Sequence, residues 1–403
     1  MDFDRIYRDF MELARIGRGT DGSVTRLLFS ESFWTAAHRV RQYMEEAGLS
    51  TWIDACGNVH GTWDCGIKGA RTIYMGSHQD TVKEGGLYDG MLGVVGAVEA
   101  FREFLEKEPE KRGNIHLLAT NGEEGNDLGG TFGSRAMAGL IDADAPGYME
   151  KAAVYGLKRE DFETVKLSMK DGLCYLELHI EQGNTLEQAG EQIGIVTGIA
   201  GLERYAVTVK GAANHAGTTM MEYRRDALVG AARLIEGFDR MAREYGNQMV
   251  ATVGTVSVTP GAVSVIPERV DMVLEIRNLS AERLTRFAAD AAAMGKALPY
   301  VETEFVRTVQ KAPVQCDGKL EDMMEDICRE EGYSFRKMPS GATHDGNAMA
   351  MKMPIGMIFV PSKDGISHNK KEYTPWTDVE RGMTVLGELV RRVNRQEKTD
   401  GVR

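Results

Sequence analysis

GSHQDTVKEGGLYDG, residues 76–90, sets one imidazole and two carboxylates (His78, Asp80, Asp89) in a glycine-rich loop directly after the apolar run TIYM. A turn needs none of the three. Glycine frees the backbone to fold tightly, and in open α/β sheets the loops that follow the strands are where chemistry gathers. The stretch reads as the edge of a site at the end of a strand.

Three more segments repeat the pattern of an apolar strand followed by polar ligand-type residues. Glu123–Glu124 follow IHLLATNG, His179 sits in LELHIEQG, and His368 closes MIFVPSKDGISHN. Any one of these alone reads as a turn or a solvated surface group. Together they supply three imidazoles and several carboxylates, a donor set that suits zinc or a similar divalent ion.

Around these segments, strand-like and helix-like patterns alternate up to about residue 183, with helices expected near 3–16, 31–47 and from Asp89 onward. Alternation of this kind predicts an α/β sheet covered by helices. Between about 195 and 312 the texture becomes four strand-like runs around two helices, a compact split-βαβ unit. The α/β character then returns. The expected organisation is a discontinuous domain, 1–195 and 313–403, holding an inserted α+β domain, 196–312.

The bounds describe a globular protein, with hydrophobic residues at 42% and charged residues at 27%. A chain of 403 residues exceeds one ordinary core. A formal net charge of −12 with no basic cluster argues against nucleic acid or an anionic membrane as partner. Five scattered cysteines without a CxxC pair read as reduced thiols, and no apolar run approaches the roughly 18 residues of a membrane span. The expected location is the cytoplasm.

GSHQDTV…DG, NGEEGN…FGSR, LELHIEQG, KGAANHAGTT…RRDAL, VIPERVDMVLEIR, SGATHD and VPSKDGISHN together resemble, in this order, the motifs of the M20 peptidase superfamily. The closer likeness is to its hydantoinase/carbamoylase branch, which holds N-carbamoyl-L-amino acid hydrolases, β-ureidopropionases and allantoate amidohydrolases. The resemblance implies a dinuclear-metal aminopeptidase-like domain, a mixed sheet with helices on both faces, carrying a ferredoxin-like lid and dimerisation domain. It implies two divalent ions per subunit, zinc first, with manganese and cobalt as alternatives. Asp89 would bridge the ions, His78 and His179 would complete one site, and Glu124 with His368 the other. Asp80 would accept the second N–H of His78, and Glu123 would be the general base of a hydrolysis by metal-activated water. His215 would stabilise the oxyanion across a homodimer. Gln182, Ser264, Arg277 and the backbone of Gly341 would hold a carboxylate-bearing ureido or amide substrate.

Three positions depart from the branch: Ser264 where asparagine is common, Met220 in place of proline, and Thr343 where glycine is usual. All three bear on the substrate pocket rather than on the metal ligands. N-carbamoyl-α-amino acids, N-carbamoyl-β-alanine, allantoate and N-formyl amines stay open as substrates. An aminoacylase or dipeptidase, and a non-catalytic binding protein, are the competing readings. His344 and Asp345 read as supporting residues, and His38, His60 and His116 as ordinary helix, core or surface groups.

Overall fold

The computed structural model describes residues 1–246 and 248–397. They form two compact units: Met1–Ile199 with the chain from Gln315 onward, and Ala200–Val314.

The first unit is built on a nine-stranded mixed sheet. Its strands are β1 (Ser50–Ile53), β2 (Val59–Trp63), β3 (Thr72–His78), β4 (Asn114–Thr120), β5 (Gly172–Ile180) and β6 (Ile193–Ile199) before the second unit. The second unit supplies β7 to β10, and the first resumes with β11 (Val314–Gln315), β12 (Phe335–Ser340) and β13 (Ile355–Val360). The order is β1-β2-β4-β3-β5-β13-β6-β11, with β12 beside β6. Neighbouring strands β4, β3, β5 and β13 all run parallel. Their C-terminal ends therefore share one edge of the sheet.

The central strand β3 is buried along its whole length, as an apolar strand between two parallel neighbours should be. It runs to His78, three residues beyond the apolar run TIYM, so the histidine is its last residue. Alternation then sorts the faces. Ile73 and Met75 join Phe101, Phe104, Leu386 and Leu389 in the main core under helices Met91–Lys107 and Trp376–Gln396. In β13, Ile358 and Val360 belong to that core, while Ile355 and Met357 pack against Gly346 of the short helix Gly346–Met349. The sheet is thus covered on both faces. Helix Met91–Lys107 stops where Pro109 follows, and Glu108 before it takes extended backbone.

In the second unit, β7 (Gly201–Lys210), β8 (Val250–Thr259), β9 (Arg269–Asn278) and β10 (Glu302–Lys311) form an antiparallel sheet of order β10-β7-β9-β8. Helices Ala227–Tyr245 and Ala281–Lys296 cover one face through Leu234, Phe238, Leu284 and Phe287. In the segment AVSVIPERVDMVLEIRNL the strand starts late. Only Arg269–Asn278 is strand, because Pro267 has no N–H to pair and residues before it turn. No helix among the described residues is long and apolar enough to cross a membrane.

Candidate active site

The shared edge of β4, β3, β5 and β13 collects the residues picked out by the four motifs. His78 ends β3, Glu123 and Glu124 follow β4, His179 is the penultimate residue of β5, and His368 lies in the loop after β13. Asp89 stands at their centre. Its Oδ1 lies 3.3 Å from His78 Nε2 and 3.2 Å from His179 Nε2, while Oδ2 lies 3.2 Å from His368 Nε2. Glu124 Oε1 approaches the same His368 nitrogen at 3.4 Å. Gly90, just after Asp89, has φ 67° and sits so close that a Cβ would come within 2.5 Å of the His78 ring. Only glycine suits that position.

The donor atoms behave as a metal centre requires. Nδ1 of His78 lies 3.0 Å from the Asp80 carbonyl and Nδ1 of His179 lies 2.9 Å from the Ile180 carbonyl. A carbonyl accepts only, so each Nδ1 carries the proton and each Nε2 offers its lone pair toward Asp89. Asp89 Oδ1, Glu124 Oε1, Glu123 Oε1 and His179 Nε2 are buried without a hydrogen-bond partner. Unsatisfied buried acceptors of this kind are costly unless a cation takes them. The donor atoms of His78, Asp89 and His179 all lie within 4.8 Å of one another, as do those of Asp89, Glu124 and His368. Asp89 belongs to both sets, one oxygen to each. The residues fit two divalent ions sharing one carboxylate.

Charge is concentrated here. Burial pushes the Asp89 carboxyl up, but His179, His368 and His78 outweigh it and hold the group well below the usual range. Burial drives the Glu123 carboxyl well above its ordinary value, with Glu124, Asp345 and Asp80 adding to the rise against the pull of His78. Burial beside Asp89 takes Glu124 to about 7.

One expectation needs correcting. The Asp80 carboxylate is not the hydrogen-bond acceptor for His78. Its nearest oxygen is 3.7 Å from Nδ1, and the Asp80 backbone carbonyl takes that place because the chain turns directly after β3. The carboxylate instead accepts the backbone N–H of Glu123 at 3.1 Å and of Glu124 at 3.2 Å. It orients Glu123 and Glu124 rather than the imidazole. Gln182, at φ 59°, donates its amide N–H to Asp89 Oδ2 at 2.8 Å, and its buried Oε1 has no hydrogen-bond partner.

Gly341 lies exposed in the turn after β12. His344 and Asp345 are buried beneath the site: His344 stacks edge-on against His179 at 4.7 Å and meets Ser340 Oγ at 2.7 Å, and Asp345 accepts the Thr120 hydroxyl.

The remaining candidates belong to the second unit. His215 is exposed, and its Nδ1 accepts the backbone N–H of Gly217 (3.0 Å) and Thr218 (3.2 Å), which places the proton of the neutral ring on Nε2. Ser264 is exposed, and its carbonyl accepts the N–H of Ala216 beside His215. Arg277, on the open face of β9, gives Nε and Nη2 to Glu275 at 2.8 and 2.7 Å.

Several supporting residues escaped the sequence reading. Glu177 is fully buried and shares a face of β5 with His179; the i, i+2 spacing was the available signal. Glu177, His179 and His344 form a third possible donor group, but His179 has one open nitrogen, already turned to Asp89. His60 and His116 come together at 3.0 Å, with His60 also 3.1 Å from Asp54 and stacked on Trp52. That is a buried polar cluster of β1, β2 and β4, consistent with a core role. Glu372 has no sequence signal beyond its place in the charged run KKE.

Parallel strands delivering imidazoles and carboxylates to one sheet edge define a metal-hydrolase type of site. The chain belongs to the peptidase family M20/M25/M40, whose model matches residues 74–392. It is 38% identical over 395 residues to an N-carbamoyl-L-amino acid amidohydrolase of Geobacillus stearothermophilus, covering 95% of this chain and 96% of that one. It is 35% identical to an allantoate amidohydrolase of Bacillus subtilis, at 95% and 96% coverage. Among solved structures, an amidase of the hydantoinase/carbamoylase family from Burkholderia multivorans matches with TM-score 0.89 and 29% identity, over 98% of this chain and 99% of that one.

Proposed function

We propose that the chain is a metal-dependent amidohydrolase that cleaves the linear amide bond of an N-carbamoyl amino acid or a related small ureido carboxylate. The observation that carries the reading is Asp89, one buried carboxylate facing two histidines through one oxygen and a third through the other. His78 and His179 would hold one divalent ion and Glu124 with His368 the other, Asp89 serving both. Zinc suits the nitrogen and oxygen donors, as do manganese and cobalt. Such ions lower the pKa of water and polarise the carbonyl under attack.

The chain's own residues do the rest. Glu123, held by the Asp80 carboxylate through its backbone, takes the proton of the attacking water and passes it to the leaving nitrogen. His215 donates from Nε2 to the developing oxyanion, and Arg277 offers its planar fork to the substrate carboxylate. Gln182 contacts the ureido end, with Ser264 and the Gly341 N–H near the carboxylate. A ureido substrate yields ammonia, carbon dioxide and the free amine. Allantoate is the second substrate, favoured by the Bacillus subtilis relative. Ammonia release from a panel of N-carbamoyl amino acids, N-carbamoyl-β-alanine and allantoate decides between them; no ammonia from any member by metal-loaded protein would end the reading.

A homodimer joined through the second unit completes the proposal. Strand β8, VATVGTVSVT, is a sheet edge of ten residues with no charge and no proline, and Val250 and Val256 are exposed. Unguarded edges of this kind pair with another chain. Sedimentation of the protein and of Val256→Lys tests it, with a monomeric wild type as the contrary result. The five free cysteines support a cytoplasmic location.

A further inference from the structure

The loop that carries His368 also carries two polar residues outside either donor group. Glu372 follows two exposed lysines yet is itself buried, 4% exposed. Its Oε1 accepts the backbone N–H of Tyr88 at 2.7 Å and of Asp89 at 3.1 Å. Its Oε2 lies 3.1 Å from the Ser367 hydroxyl, which lies 3.1 Å from Asp89 Oδ2 as well. The contact is close enough that Gly86 cannot be replaced: a Cβ there would stand 2.1 Å from Glu372 Oε1. One carboxylate thus clamps the 86–90 loop, bearing Asp89, to the 367–372 loop, bearing His368.

The two donor groups depend on this clamp unequally. His78 and His179 stand on strands, are buried, and are each fixed at Nδ1 by a backbone carbonyl. His368 has neither support. It sits on a loop, is half exposed at 49%, and adopts a left-handed φ of 55° that a non-glycine residue takes only when its surroundings hold it there. The loop's other ties to distant segments are weaker: Lys370 to Asp21 at 3.0 Å is an exposed ion pair, and the Gln182 amide reaches Ser367 Oγ and His368 Nε2 only at 3.4 and 3.5 Å.

We infer that Glu372 is a positioning residue for the Asp89–Glu124–His368 group. By receiving the two N–H groups and ordering Ser367, it fixes both the shared carboxylate and the one ligand that no strand holds. The inference rests on the two-ion reading above. It assigns Glu372 no contact with substrate and no proton transfer. Its effect is on how tightly the second ion is held.

The test is calorimetric titration of Zn²⁺ into chelator-stripped full-length protein, counting ions per chain. Wild type is expected to take two. Glu372→Ala should weaken the second ion by about 10–100-fold, the usual cost of losing a residue that orients ligands, and the first, whose histidines stay fixed on their strands, by much less. Glu372→Gln keeps an oxygen for the two N–H groups and should restore the second affinity to within about threefold of wild type. Rescue by the amide separates a hydrogen-bonding role from a general charge effect. Equal weakening of both ions in Glu372→Ala, unchanged affinities, or a Gln variant as weak as Ala would each overturn the inference. Should Glu372→Ala fail to give a cooperative melt, Ser367→Ala decides, since it removes only the hydroxyl between the two carboxylates. Selective weakening of the second ion then upholds the assignment and wild-type binding overturns it. A wild type that binds no Zn²⁺ would instead sink the two-ion reading itself.

Discussion

The sheet edge of the first unit and the open face of the second carry candidate residues in opposite states. At the sheet edge, Asp89 Oδ1, Glu123 Oε1, Glu124 Oε1 and His179 Nε2 are buried and lack hydrogen-bond partners. In the second unit, His215 is exposed and tied to its own loop, and Arg277 is already paired with Glu275. The first arrangement demands a cation to be stable, so its ligand can be read from the site itself. The second is comfortable without one. On the proposed reading a substrate carboxylate would have to compete with Glu275 for the Arg277 fork, which would make that unit's contribution conditional on what binds.

Breaking the buried side should have the largest effect. Stripping metal with a chelator should take activity to background, and Zn²⁺, Mn²⁺ or Co²⁺ should restore it. Asp89→Ala should lose both ions, His78→Ala chiefly one; elemental analysis counts them, and full turnover by metal-free protein would void the comparison. Glu123→Gln should keep both ions and lower kcat by about 10²–10⁴. A wild-type kcat would remove Glu123 from the chemistry.

Effects in the second unit should be smaller and separable. His215→Ala is expected to lower kcat by about 10²–10³, as for loss of one oxyanion donor. If it acts across a dimer, mixed Glu123→Gln and His215→Ala chains should regain activity once subunits exchange, since one site then has both groups intact. Verified hybrids without activity would confine His215 to its own subunit. Arg277→Lys should raise KM about tenfold, roughly 1.4 kcal/mol, with kcat little changed, because an ammonium cannot reproduce the fork. An unchanged KM would leave Arg277 to Glu275 alone.

The smallest effect is one of pH on the metal-free protein. Burial lifts Glu124, Glu177 and Glu372 to about 7 from an unfolded value near 4.5. Groups raised on folding stabilise below the unfolded value and lose that stabilisation as pH climbs through the folded one. His368, lifted to about 9 by Asp89, acts in the same direction at higher pH; Asp89, held low, opposes it only in acid, and His116 and His344, which burial holds well below the usual range, oppose it below about 6.5. Melting temperature without metal should therefore fall by a few degrees from about pH 6.5 to 8, and bound metal should shrink that fall. A melting temperature that rises with pH over that range would contradict the burial described for the edge.

What the sequence disclosed follows the same division. The strand-end motifs each pair a local apolar run with an adjacent polar group, so His78, Glu124, His179 and His368 could be picked out by position alone. Asp89 needed only the neighbouring loop. The misjudged detail at Asp80 turned on which way a backbone carbonyl points after β3, something spacing does not encode. Glu372 was invisible for another reason: it bonds to Tyr88 and Asp89 across more than 280 residues, and its own neighbours are exposed lysines. Strands β6, β11 and β12 were missed because each is defined by pairing with distant chain rather than by its own pattern.

The place of β13 between β5 and β6 also sets an order of events in the cell. A ribosome finishes the second unit, residues 200–314, while the larger sheet still lacks residues 355–360 at its middle. The second unit is complete in sequence at that point and can fold as a domain during synthesis. Until β13 arrives, β5 and β6 have no strand between them, and their apolar flanks are open to the wrong partner. His368 emerges later still. On the two-ion reading, the growing chain would therefore acquire its last proposed ligand only after the strand that closes the sheet, and full metal loading would belong to chains extended past residue 368.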